Sequence, residues 1–262
     1  MNPPERRGRL RSSGSEGGKI HQYLRDKVLS GEKIHLSLID PDKAVDINQL
    51  MKVAEELKDA GTDAFLVGGS VGVSEQDTDT VVKELKRLGK PVILFPGNVT
   101  GISRYADAIL FMSLLNSDDP YFIIGAQVLG APLIMRYRLE TLPTAYIIVG
   151  YGGAAGYVGR ARPIPYDRPE IGAAYVLAAR YLGMKYAYLE AGSGAPKPIP
   201  PEFIAAAAKI KEDLTLIVGG GIRTPEDALR AVKAGADAIV TGTVVEKDPK
   251  KAVNIIQAIK KR

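Results

Sequence analysis

Eight short, mostly apolar runs, each followed by a glycine- or aspartate-rich stretch and then by helical periodicity, most narrow how this chain can fold. They occupy residues 34–39, 64–67, 92–95, 108–112, 145–149, 186–190, 214–218 and 236–240. Runs that lack polar alternation suit parallel strands buried on both faces. Strand and helix alternate along the chain, which predicts a parallel sheet, and eight such strands close into a barrel. The expected fold is therefore α/β, a single-domain (β/α)8 TIM barrel, and 262 residues is an ordinary length for one.

The helical stretches carry their own punctuation. Residues 46–60, 78–88, 170–182 and 224–234 run into Gly61, Gly89, Gly183 and Gly235, and glycine is the residue that ends helices in a left-handed conformation. One of them opens with Thr224, Pro225, Glu226 and Asp227: a cap, a first-turn proline and two acids facing the helix dipole. A last helix over 252–260 is expected to pack against the first strands and close the ring. Residues 56–64 and 230–238 repeat one phrase of helix, glycine, aspartate and strand, which supports repeated units but no particular function.

The net charge of +5 is unevenly spread. Residues 1–19 hold five basic side chains against two acidic ones, which gives +3 and leaves +2 for the rest. A nearly balanced body argues against a nucleic-acid partner. The Gly-, Ser- and Arg-rich segment 1–19 is expected to be a flexible, disordered basic tail before a barrel domain over 20–262. The absence of cysteine excludes disulfides and thiolate metal sites and fits a cytoplasmic protein. No apolar run reaches the roughly 18 residues of a membrane span. The segment 122–135 is interrupted by Gly125, Gln127, Gly130 and Pro132 and reads as a buried helix and loop.

Barrels of this kind carry their active sites at the C-terminal strand ends. The sharpest signal there is three glycine-rich turns after consecutive strands: Gly192-Ser193-Gly194, Gly219-Gly220-Gly221 and Gly242-Thr243. Glycine lets backbone N–H groups approach an anion closely, and barrels commonly bind phosphate at the last strands. Tight strand-to-helix turns are the bland alternative. Asp40 and Asp42 flank a proline after the first strand, where a carboxylate can ligate Mg²⁺ alongside substrate phosphate oxygens. Asp40 is expected to point into the mouth and Asp42 to serve the turn or cap, while Ser70 one strand over could complete the site. Glu190 ends the sixth strand and could orient or deprotonate a hydroxyl, or form a rim salt bridge. Tyr188 alternates with Glu190 and could share its pocket or belong to the barrel core. The run from Gly150 to Ala155 fits a loose dinucleotide fingerprint, but it leads into a Gly-, Arg- and Pro-rich stretch over 156–165 and not into a helix. A lid or substrate loop is the preferred reading.

These strand ends also carry a family resemblance. His35-Leu-Ser-Leu-Ile-Asp40-Pro-Asp-Lys43, Gly68-Gly-Ser70, Leu94-Phe-Pro-Gly-Asn98, Tyr188-Leu-Glu-Ala-Gly-Ser-Gly194 and Val218-Gly-Gly-Gly-Ile-Arg223 resemble the geranylgeranylglyceryl phosphate synthase family over roughly residues 20–262, in order and with matching spacing. The Tyr188 to Gly194 phrase is specific; the glycine phrase is shared with many phosphate-binding barrels. The resemblance implies a Mg²⁺-dependent prenyltransferase of archaeal ether-lipid synthesis that joins geranylgeranyl diphosphate to the 3-hydroxyl of sn-glycerol 1-phosphate and releases diphosphate. It implies that Asp40 and Ser70 bind Mg²⁺. It implies further that Tyr188, Leu189, Glu190, Ala191, Gly192, Ser193, Gly194, Gly219, Gly220, Gly221, Gly242 and Thr243 hold the acceptor, with Glu190 and Asp40 as catalytic residues. A C20 tail needs an apolar groove, which residues 121–135 or the small-residue helix over 172–179 could line, unless both are core. The family also implies a homo-oligomer, dimer or larger, with at most transient membrane contact.

Three other readings share parts of this pattern. A heptaprenylglyceryl phosphate synthase would use the same chemistry with a C35 donor, although the insertion over 151–170 is more like the archaeal branch. A sugar-phosphate isomerase or cyclase of histidine or tryptophan synthesis would share the phosphate turns without needing Mg²⁺. A catalytically silent phosphate binder would need neither Asp40 nor Glu190.

Overall fold

The computed structural model describes residues 17–44, 46–69 and 73–261, so most of the expected basic tail lies outside the described residues. The strands are β1 (Ile34–Ile39), β2 (Ala64–Val67), β3 (Val92–Leu94), β4 (Ala108–Leu114), β5 (Glu140–Ile148), β6 (Tyr186–Glu190), β7 (Thr215–Gly219) and β8 (Ala238–Thr241). All are parallel to their neighbours and pair in chain order, and β8 returns to β1 through Ala238 opposite Ile34. The expected closed eight-stranded barrel is thus present. Helix α1 (Lys19–Leu29) precedes β1. Between the strands lie α2 (Ile47–Ala60), α3 (Glu75–Lys86), α4 (Ala126–Tyr137), α5 (Gly153–Val158), α6 (Pro169–Tyr181), α7 (Pro201–Ala208) and α8 (Pro225–Lys233). Two more, α9 (Thr243–Lys247) and α10 (Pro249–Lys260), come after β8. Of these, α1, α5, α7 and α9 lie outside the helical stretches expected from the sequence.

The two-residue alternation of a strand sorts the core into two layers. Leu36, Leu66, Ile93, Leu110, Leu142, Tyr186, Tyr188 and Ile217 fill the barrel interior. Their neighbours Phe65, Leu94, Ile147, Leu189, Leu216 and Ile239 face outward beneath the helices. α1 packs Ile20 and Leu24 onto the inner layer at the N-terminal end of the barrel. The Glu140 carboxylate accepts from the first-turn N–H groups of Ile20 and His21 at 2.9 and 2.7 Å, and His21 Nδ1 meets the Tyr186 hydroxyl at 2.8 Å. The barrel is therefore plugged at one end and open only at the other.

The repeated phrase before the strands has a physical reason. Asp63, Asp107 and Asp237 each lie just before a strand, and each carboxylate accepts the backbone N–H at the start of the preceding strand: His35 at 2.8 Å, Val92 at 2.9 Å and Leu216 at 2.8 Å. Each also pairs with lysine: Asp63 with Lys260 and Lys27, Asp107 with Lys86, and Asp237 with Lys211 at 2.7 Å. Burial of Asp63 and Asp237 would be costly without those partners. Gly61 and Gly235 precede Asp63 and Asp237 by two residues at φ 109° and 110°, turning the chain from helix to strand. α10 packs between α2 and α8 and sends Lys260 to Asp63, which closes the ring as expected.

On the outer face of β1, His35 is fully buried. Its Nδ1 meets Thr62 Oγ1 and its Nε2 meets Thr241 Oγ1, both at 3.0 Å. Both ring nitrogens are satisfied by hydroxyls, so neither is available as a metal ligand.

Candidate active site

A cleft of about 700 Å³ opens at the C-terminal ends of the strands. Its polar side is built by the turns after β6, β7 and β8, which the barrel order makes neighbours. Glu190, the last residue of β6, is almost wholly buried. Its Oε1 accepts the Gly192 N–H at 2.6 Å, and the Tyr188 hydroxyl also donates to its carboxylate. Burial raises its pKa above the ordinary glutamate value, and the two hydrogen bonds only partly oppose that. Tyr188 stacks on Phe95 with centroids 5.6 Å apart and meets Tyr146 edge-on at 5.2 Å. It belongs to the barrel interior and also borders the cleft, so it forms an aromatic floor on which Glu190 rests.

Glycine is required beside this carboxylate. Gly220 has φ 80°, and a Cβ there would lie 2.5 Å from Glu190 Oε1. Ser193 and Thr243 join their turns by a hydroxyl–hydroxyl contact of 3.1 Å. Ser193, Gly194, Gly220, Gly221, Gly242 and Thr243 all border the cleft. Gly219 backs onto the Tyr188 hydroxyl, and Gly192 onto the Gly152–Gly153 peptide. Leu189 and Ala191 face the helical layer, so only their backbones are near the turn.

Asp40 follows β1 and also borders the cleft. Its Oδ2 lies 3.1 Å from Lys43 Nζ, which in turn reaches Glu246 Oε1 at 3.0 Å. Its Oδ1 is buried, has no hydrogen-bond partner among the described residues, and faces the space that a side chain on Gly69 would fill. Burial, together with the Asp42 carboxylate, which favours a protonated Asp40 as hydrogen-bond donor to it, pushes the Asp40 pKa up to about 7 against the lowering effect of Lys43. Asp42 therefore sits in the turn, as expected, but with its carboxyl turned to Asp40. A buried carboxylate oxygen without a donor, beside a second acid, fits a hard divalent cation. Among the described residues no cluster of three His, Asp or Glu side chains could hold a metal, so such a cation would take remaining ligands from water and substrate oxygens. Ser70, the other expected ligand, lies outside the described residues.

Across the barrel from β8, the cleft turns apolar. Phe111, Met112 and Leu114 of β4 face Phe122, Gly130 and Ile134, with Ala155 and Val158 of α5 alongside. Tyr121–Gly125 is a π-helical turn leading straight into α4. The Ser113 hydroxyl donates to Ile123 O at 2.7 Å, and the Gln127 amide donates to Met112 O and to Phe122 O, tying the turn to β4. Segment 122–135 is therefore a groove wall, one of the two roles the sequence left open for it, and not a buried helix and loop; its outer face exposes Ile124, Val128, Leu129 and Met135. Helix α6 does not contribute to the groove: a Cβ on Gly172 would strike the Phe203 ring of α7. The stretch after Gly150, expected to lack a helix, forms α5, whose six residues are too few for periodicity to reveal. Arg160 and Arg162 beyond it are exposed and lie 3.6 Å from Asp119 and 3.9 Å from Asp118, respectively.

Lys43 and Arg223 border the same cleft, although sequence reasoning gives them no role. Both stand inside the motifs quoted for the resemblance, and spacing alone gives no hint of where their long side chains reach.

The PcrB family model matches residues 26–261. A geranylgeranylglyceryl phosphate synthase of Metallosphaera sedula is 54% identical over 244 residues, covering 93% of this chain and 96% of the relative. The crystal structure of (S)-3-O-geranylgeranylglyceryl phosphate synthase from Thermoplasma acidophilum in complex with sn-glycerol-1-phosphate superposes with a TM-score of 0.88 at 37% identity, covering 94% of this chain and all of that one. The wild-type enzyme of Thermoplasma volcanium gives 0.87 at 43% identity, with 94% and 99% covered. The barrel, its glycine-rich turns and these likenesses agree with the resemblance in the sequence: the chain belongs to the PcrB family, that of the geranylgeranylglyceryl phosphate synthases.

Proposed function

We propose that this enzyme transfers a geranylgeranyl group from geranylgeranyl diphosphate to the 3-hydroxyl of sn-glycerol 1-phosphate, releasing diphosphate, with Mg²⁺ as cofactor and in the service of ether-lipid synthesis. The observation that carries this reading is the composition of one cleft, which joins a cradle of glycine turns to an apolar arm. A phosphorylated polar acceptor suits the first and a prenyl chain the second. Relatives with 54% identity that bear the synthase name support it.

The chemistry follows from the side chains. Backbone N–H groups of the turns at residues 192–194, 219–221 and 242–243 would hold the acceptor phosphate. Glu190 stands at the inner edge of that cradle, where its carboxylate would orient the acceptor hydroxyl and take its proton. The hydroxyl oxygen then bonds to the allylic carbon as the bond from that carbon to the diphosphate oxygen breaks. Mg²⁺ held at Asp40, with Lys43 beside it, would offset the charge that gathers on the leaving diphosphate. A cytoplasmic homo-oligomer that touches membranes only to exchange its lipid chain fits the exposed apolar face of α4. Among the described residues, no helix is long and apolar enough to cross a membrane.

The test is an extraction assay with labelled sn-glycerol 1-phosphate, geranylgeranyl diphosphate and Mg²⁺. Label should pass into the organic phase, less so with sn-glycerol 3-phosphate, and a heptaprenyl donor should serve poorly. Chelation by EDTA is expected to lower the rate by about 10²-fold or more, as removal of several kcal/mol of charge stabilisation would. Asp40→Asn should show a similar loss and little further response to EDTA. Absence of extractable label from folded protein would leave only a phosphate-binding barrel, and an EDTA-insensitive rate would remove the metal.

A further inference from the structure

The turn after β6 is held to its neighbours at several points. Ala191 N–H donates to Gly219 O at 3.0 Å, the Ala191 carbonyl accepts from Gly152 N–H at 2.8 Å, and Ser193 meets Thr243. Further along, the turn is gripped by Arg223, which lies between the end of β7 and the start of α8. Its guanidinium donates to Ala195 O at 2.6 Å and approaches Gly194 O and Pro196 O at 3.4 Å each. Its own backbone N–H donates to Asp227 Oδ2 at 3.1 Å, and Asp227 also closes the capping box with Thr224. A stiff path therefore runs from the N-terminus of α8, through Arg223, to the turn after β6. Gly221 fits tightly beside that turn, since a Cβ on it would lie 2.6 Å from the Lys197 carbonyl carbon.

We propose that Arg223 is a positioning residue for the acceptor phosphate: its guanidinium fork fixes the distance between the turns after β6 and β7 so that both can face one anion. This rests on the proposed function only in naming the phosphate as that of the acceptor. Three carbonyl oxygens near an anion site would repel the anion if left bare. Paired with a cation they do not, and the planar fork spans several of them at once, which a lysine ammonium on its flexible stem does less well. Arg223 is also among the residues that border the cleft, so its charge adds to the attraction for an anion there.

The test compares wild type, Arg223→Gln and Arg223→Lys in the full chain. Calorimetry would measure the binding of inorganic phosphate and of sn-glycerol 1-phosphate, and steady-state kinetics the KM for each substrate. Arg223→Gln should weaken both binding constants about 10-fold or more, as loss of charge-assisted hydrogen bonds does. Its KM for the prenyl donor should stay within about twofold of wild type, and Arg223→Lys should recover part of the phosphate affinity but not all. Unchanged phosphate affinity in the Gln variant would overturn the proposal. So would full affinity in the Lys variant, or an equal loss for both substrates with a lowered Tm. The phosphate measurement needs no prenyl transfer, so failure of the proposed reaction leaves it intact as a test. Should Arg223→Gln fail to fold, the Lys variant still decides between partial and full recovery.

Discussion

Glu190→Gln is expected to reduce kcat/KM by about 10³-fold while leaving the protein folded and, at neutral pH, at least as stable as the parent. Glutamine keeps an oxygen that can accept from Gly192 N–H, and its amide N–H can donate to the Tyr188 hydroxyl oxygen in place of the bond that the carboxylate accepts, so the turn after β6 keeps its shape. What it lacks is the charge that, in the proposed reaction, would accept the hydroxyl proton. Burial raises the Glu190 pKa, so the carboxylate form is disfavoured by its surroundings. For such a group the sign is fixed: its ionisation costs stability as pH rises through the folded value, a cost the amide does not carry. Activity runs the other way. The wild-type kcat/KM should rise with pH through a midpoint above the ordinary 4.5 of glutamate, and that limb should be missing from the variant. Residual activity within about tenfold of wild type, or an unchanged acid limb, would reject Glu190 as the proton acceptor.

A second large effect is expected far from the cleft. His35 is fully buried between hydroxyls, and burial lowers its pKa from 6.5 to about 3. Between those two values the unfolded chain binds a proton that the folded chain refuses. Stability from this residue is therefore complete above pH 6.5 and is lost as pH falls toward 3, at about 1.4 kcal/mol per pH unit. At pH 4.5 the loss comes to about 3 kcal/mol, a large share of the ~5–15 kcal/mol that holds a domain together. Denaturant unfolding at pH 7, 5.5 and 4.5, in wild type and in His35→Gln, isolates the effect because carboxylates elsewhere titrate alike in both. The variant should begin less stable at pH 7, having lost fitted hydrogen bonds to Thr62 and Thr241, and then lose less on acidification. Parallel pH profiles for the two proteins would mean that His35 is not what acid attacks.

The barrel can be read from the sequence because its strands are apolar on both faces and its long helices end in glycine. Those are local signals. β5 begins at Glu140, ahead of the expected start at residue 145, since Glu140, Thr141, Pro143 and Thr144 do not look like a buried strand. Only its pairing along the whole of β4 makes them one. α1 escapes a sequence reading although Ile20, Leu24 and Val28 recur at a regular helical spacing, because it adjoins the Gly-, Ser- and Arg-rich segment over 1–19 and precedes the first strand. In the cleft, the chain-adjacent pieces are legible: glycine turns, Asp40 and Glu190. Of the apolar arm, residues 121–135 are legible as one candidate wall, but the parts that β4 and α5 add are not, because only the fold brings those separate stretches together. For the same reason the small-residue helix over 172–179 looks as good a groove wall in sequence as residues 121–135, yet it is packed against α7.

The three aspartates at the foot of the barrel give the fold a division of labour. They stitch strand starts together on the face away from the cleft, and α1 seals that same face. None of these bonds reaches the glycine turns or α4 at the open end. Substitutions in the groove wall can then accumulate without loosening the closure of the ring. A lineage built on this frame is free to try donors of other lengths by altering a few side chains near residues 122–134, and selection at the mouth calls for no compensation at the base.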